Sequence, residues 1–153
     1  MLQRAREQLR RAAPEQDKIR EPDDARQRAL VDAYAAAFSN ADVAALTTLL
    51  REEAVLEMPP LPTWFAGRDS VAAFLASRVL TEKGAFAMVP AAANGQPAFA
   101  AYLRGDDGVH RAHAIQVLTI GGGLIARIAS FNDASLFPMF AFPGILADRR
   151  HDH

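Results

Sequence analysis

Helical periodicity fills the first half of this chain and strand-like alternation fills the second, and that order constrains the fold more than any single motif. After Pro22, Asp23 or Asp24 opens a helix that runs to about Asn40 with Leu30, Val31, Tyr34 and Phe38 on one stripe. The run Ser39-Asn40-Ala41-Asp42 breaks it, and Asp42 caps a second helix carrying Val43, Leu46, Leu49 and Leu50. Residues 54–58 alternate as a strand, stopped by Pro59-Pro60 because proline cannot donate to a sheet ladder. Residues 63–66 form a short strand, Gly67 a turn, and Asp69 or Ser70 starts a third helix with Val71, Phe74, Leu75 and Val79 inward. Four strands follow at 85–92, 98–104, 110–120 and 124–131, separated by Asn94-Gly95, Gly105-Asp106-Asp107-Gly108 and Gly121-Gly122-Gly123. Helices first and consecutive strands after predict an α+β fold. The phenylalanine-rich run 133–142, with Phe137, Phe140 and Phe142, is expected to close an open rim or dock on a partner.

Ahead of this domain, assigned to 23–142, residues 1–13 read as a short basic amphipathic helix with Arg4, Arg6, Arg10 and Arg11. Residues 14–22 lie between two prolines and are polar, as a linker is. Residues 143–153 read as a polar tail. At 153 residues and a net charge of −1 the chain has the size of one domain and no global basic field for nucleic acid. The absence of cysteine excludes disulfides, thiolate metal sites and a cysteine nucleophile, and fits a cytoplasmic setting. No apolar run approaches the roughly 20 residues that span a bilayer.

The words Ala-Val-Leu-Glu-Met-Pro-Pro, Thr-Trp-Phe-Ala-Gly-Arg-Asp and Asn-Gly-Gln-Pro-Ala, in this order, resemble the SnoaL-like branch of the NTF2-like superfamily over residues 24–142. The resemblance implies a cone in which a curved mixed or antiparallel sheet wraps on three helices around one cavity. More narrowly, the chain is similar to the C-terminal domain of certain extracytoplasmic-function (ECF) sigma factors of actinobacteria. Leu2-Gln3-Arg4-Ala5-Arg6 is similar to the end of the region-four helix-turn-helix in those factors, which makes residues 1–13 a remnant of that region. The implied partners are sigma regions two and four, and RNA polymerase through them. Without a complete helix-turn-helix, no DNA binding by this chain alone is expected; no membrane association and no cofactor are expected either.

Relatives of this fold include ketosteroid isomerases and polyketide cyclases, which pair a carboxylate base with donors to an enolate oxygen. Carried over by position, Tyr34 falls at the oxyanion tyrosine and Gln116 where a second donor stands, but the base position holds Met58, whose thioether takes no proton at neutral pH. Glu57 is adjacent, yet strand alternation aims it at the opposite face, where an ion-paired surface carboxylate is expected. His113 is the other weak candidate for a catalytic group; three positions from Gln116, it faces the opposite side unless a bulge intervenes. His110 sits at a strand start, Asp133 reads as a helix cap, and no spacing suits a metal. Tyr34, Met58, Trp64, Phe65, Gln116 and Phe131 are the expected lining of an apolar pocket. The expected function is that of an accessory domain that modulates an ECF sigma factor through contacts and a small apolar ligand. The alternatives are a stand-alone isomerase or cyclase, and a homodimeric binding module joined through the open sheet.

Overall fold

A computed structural model describes residues 24–93 and 95–146. The expected basic helix, the linker and most of the expected tail lie outside the described residues. Helix α1 (Asp24–Ser39) and the short α2 (Val43–Thr47) precede strand β1 (Leu50–Glu57) and the three-residue β2 (Trp64–Ala66). Helix α3 (Arg68–Phe74) continues as a single π-helical turn, Leu75–Val79. Strands β3 (Phe86–Ala93), β4 (Gln96–Arg104), β5 (His110–Gly121) and β6 (Leu124–Phe131) follow, and a 3-10 segment, Ala134–Phe140, ends the order.

The six strands form one sheet in the order β2-β1-β6-β5-β4-β3. It is mixed, because β1 runs parallel to β6 while every other neighbouring pair is antiparallel. The expected α+β cone with three helices on a curved mixed sheet is therefore the observed fold.

Local sequence explains where each element stops. Asp42 accepts from Ala45 N at 3.0 Å and so caps α2. That helix ends at Thr47, earlier than its apolar spacing suggested, because Leu49 and Leu50 are taken by the sheet: Leu49 O accepts from Ile125 N at 2.8 Å and Leu50 pairs with Ile125. Gly67 adopts φ +97 at the mouth of α3, a region that penalises any Cβ, while its N–H bonds Ala54 O at 2.7 Å. Among the described residues no helix is long and apolar enough to cross a membrane.

The sheet divides the interior in two. On its inner face α1 delivers Leu30, Tyr34, Ala37 and Phe38, α2 Leu46, and α3 Val71 and Leu75, against Leu56, Phe99, Leu118 and Ile128 of the strands. On its outer face lie Ala98, Ala100, Tyr102, Ile115, Val117 and Phe131, and the 3-10 segment seats Leu136 and Phe137 on them. Phe137 meets Tyr102 edge-on at 5.3 Å, and the Tyr102 hydroxyl donates to Pro143 O at 2.8 Å. The chain then runs beside β5, with Ala112 N bonded to Gly144 O and Leu146 N to His110 O. The phenylalanine-rich segment thus packs on the outer face rather than closing the rim of the cone, because Leu136 and Phe137 find apolar partners only there.

Candidate functional site

Helix α1, helix α3 with its π turn, the bulged strand β5 and parts of β1, β3 and β6 build the cavity. From α1, Tyr34 projects into the cone with no exposed surface and lies against Phe38 and Phe99, with ring centroids 5.6 and 5.7 Å away. From β5, Gln116 meets it: the Tyr34 hydroxyl donates to Gln116 Oε1 at 2.6 Å. That separation suits O–H···O and is short for N–H···O, so the phenol holds the oxygen end of the amide. Burial raises the Tyr34 pKa far above the ordinary value of about 10, which keeps the hydroxyl protonated.

His113 enters the same space through an irregularity in the ladder. Ala101 pairs with Ala114 and Tyr102 with Ala112, so His113 is an extra residue on β5. This bulge brings His113 and Gln116 to one face despite their three-residue spacing. The imidazole lies 5.7 Å from Phe86, and burial lowers its pKa below the usual histidine value, favouring the neutral ring.

The cavity is lined by Tyr34, Phe38, Leu56, Met58, Phe74, Leu75, Val79, Phe86, His113, Gln116, Ile128, Ser130 and Asn132. It offers about 50 Å³ to the centres of water-sized molecules, where one water needs roughly 10–15 Å³ by the same measure. That is room for several waters or one small ring. Ser130 is buried, and its hydroxyl donates to the exposed Asn132 Oδ1 at 2.7 Å. No carboxylate and no Lys or Arg is among the lining residues.

Of the six residues expected to line a pocket, the structure brings together Tyr34, Met58 and Gln116 and places the three other aromatics elsewhere. Trp64 pairs with Glu57 on the short edge strand β2 and is 61% exposed. Phe65 stacks on the far side of Phe74, centroids 4.3 Å apart, and it is Phe74 that reaches the cavity. Phe131 faces outward, because Ile128 and Ser130 take the inner positions of β6 and alternation sends Phe131 to the cluster under the 3-10 segment.

Glu57 takes the surface role expected of it: its Oε2 accepts from Arg127 Nη1 at 2.6 Å in an exposed pair. Asp133 caps the 3-10 segment by accepting from Ser135 N at 3.0 Å, and the His110 ring contacts Gly84 O at 3.2 Å. Sequence reasoning missed Ser130, Asn132 and the phenylalanines of the walls. The pairing of Gln116 with Ser130 would have located the serine, but only once register was known.

A cavity that holds a neutral imidazole, an amide fixed by a buried phenol and a thioether, with no carboxylate, can position a small molecule. It lacks the carboxylate base of the isomerase pattern, and the tyrosine hydroxyl, still protonated, is engaged as a donor to Gln116.

Solved structures similar to this fold include an NTF-2 like protein of unknown function from Burkholderia xenovorans, 13% identical with a TM-score of 0.60 over 84% of this chain and 93% of the other. A putative ketosteroid isomerase from Kribbella flavida is 20% identical with a TM-score of 0.54, over 82% of this chain and 86% of the other. These likenesses show the fold, an α+β cone shared with NTF2-like proteins. Residues 31–128 match the SnoaL-like domain, and the chain belongs to that family. It is also 34% identical over 148 residues to the ECF RNA polymerase sigma factor SigG of two strains of Mycobacterium tuberculosis. That similarity covers 95% of this chain and 40% of the relative, so the chain spans less than half the length of the curated proteins it matches.

Proposed function

We propose that this chain is a regulatory domain of an ECF sigma factor, which modulates transcription initiation by touching sigma regions two and four and by responding to a small ligand in its cavity. The observation that carries the reading is the extent of the sigma-factor similarity: 95% of this chain is covered, whereas the SnoaL-like match takes in only residues 31–128. The likeness therefore extends into the segment before the domain, where the basic helix and linker are expected.

The exposed Leu61 and Trp64 beside edge strand β2 support a protein-contact role, since tryptophan is over-represented among residues that anchor interfaces. A ligand shifts such a regulator only by binding one arrangement of the sigma regions better than the other. The reading is tested by titrating the chain with a protein comprising regions two and four and following heat release. Saturable binding weakened at least tenfold by Trp64→Ala is expected, and no binding would contradict it.

The bulge that brings His113 beside Gln116 favours one second reading, a stand-alone enzyme that moves a proton next to a carbonyl. Its imidazole is a weak base, since burial lowers its pKa. Deuterium uptake at the α-carbons of cyclohexanone in heavy water, accelerated by the chain and abolished by His113→Gln, would establish it; uptake at the buffer rate is expected.

A further inference from the structure

We propose that strand β3 is a self-complementary edge held closed by Pro90: the partner it fits is β3 of a second copy of this chain, and the proline is what prevents that pairing. Neither the cavity nor the contacts proposed above enter into it.

The sheet ends in β2 on one side and β3 on the other. Strand β2 has three residues, too few to template another chain. Strand β3 has eight, Phe86–Ala93, with no charged or polar side chain and an unbroken register against β4. Long, regular, uncharged edges are the ones that pair with other chains.

Hydrogen-bond phase shows which backbone groups are open. Arg104 N donates to Ala85 O at 2.8 Å, and the same alternation carried along the ladder turns the backbones of Ala87, Val89, Ala91 and Ala93 toward β4. Those of Met88, Pro90 and Ala92 therefore point away from the sheet, and no backbone group among the described residues bonds to that row. Pro90 is exposed and stands in the middle of the row. Its missing N–H costs the sheet nothing there, whereas a proline at Val89 or Ala91 would break a bond to β4.

The cost falls on a second copy instead. If another β3 is laid antiparallel about a two-fold axis, with Met88 opposite Ala92 of the second copy, Pro90 faces itself. Both bonds of that central pair are lost, and each pyrrolidine ring fills the space where the opposing carbonyl must approach. Sliding the register by one pair sets Pro90 against Met88 or Ala92 and keeps the ring in the row. With the block removed, a pair would use up the edge of both copies, and the short β2 cannot extend it, so the product is a closed dimer.

The test compares the full 153-residue chain with Pro90→Val, which restores the N–H and suits a strand. Sedimentation over a concentration series is expected to give the variant about twice the wild-type mass at the upper end. Amide exchange at Met88 and Ala92 is expected to slow at least about tenfold as the variant associates. In the wild-type chain these two amides are expected to exchange at least about tenfold faster than those of Val89 and Ala91 at every concentration. Should the variant fail to fold, this wild-type pattern decides alone. A variant that keeps the wild-type mass, one that associates with Met88 and Ala92 unprotected, or one that grows beyond a pair would each overturn the inference. So would a wild-type chain that protects Met88 and Ala92 as strongly as Val89 and Ala91.

Discussion

The two faces of the one sheet are used in opposite ways. Outside, small residues at Ala98 and Ala100 leave a shallow bed into which Leu136 and Phe137 fit with at most 1% exposure, and the apolar surface is consumed by packing. Inside, large residues from three helices pack on the strands as the larger cluster, and one small cavity is left beside Tyr34, Phe38 and Phe86. The same alternation along β5 sends Ile115 and Val117 to the filled side and Gln116 to the hollow one. The two faces thus differ in what a change affects: outside it should cost folding alone, and at the cavity wall it should also alter what the cavity accepts.

The largest effect is expected outside. Phe137→Ala removes a buried ring and leaves a void, at about 3–5 kcal/mol in urea unfolding. A loss under about 1 kcal/mol would break the comparison by showing that the C-terminal segment is not part of the folded core. Inside, Tyr34→Phe keeps the ring and removes the proton held by Gln116, at about 1–3 kcal/mol by the same unfolding measurement.

A smaller effect belongs to His113. Its folded pKa lies below that of the unfolded chain, about 6.5, so below that pH the unfolded state binds more protons than the folded state. Stability is therefore full above about pH 6.5, falls as pH drops toward the folded pKa, and levels off beneath it. Urea midpoints at pH 7.5 and 5.5 should show this decline, and His113→Gln should flatten it. Losses from Asp107 and Glu53, whose pKa values are lowered chiefly by hydrogen bonds from Arg111 and Arg51, come at more acid pH. The smallest change is expected at Glu57→Gln, within about 1 kcal/mol, because the pair with Arg127 is exposed to water. A larger cost would give Glu57 a role beyond the surface.

Local signals carried most of the fold. Proline and glycine punctuation, capping by Asp42 and the stripe Leu30-Tyr34-Phe38 set element order, and the observed strand Leu124–Phe131 has the bounds its alternation implied. The site was half legible. Tyr34, Met58 and Gln116 were found because the resemblance aligned them, and the inward side of α1 agrees with its own periodicity. Trp64 and Phe131 were misplaced because aromatic character says nothing about which face of a strand a residue occupies. That depends on register, and register depends on partners distant in the chain. The bulge at His113 was beyond reach for the same reason: it exists only in the pairing of β5 with β4.

The central claim, that this domain governs a sigma factor instead of turning over a substrate, is tested most directly by initiation assays. Core polymerase would be given an ECF sigma factor bearing the domain and the same factor with the region corresponding to residues 23–146 removed. A several-fold change in open-complex formation on removal, in either direction, is the predicted result. Identical initiation by the two factors at equal occupancy of polymerase would contradict it.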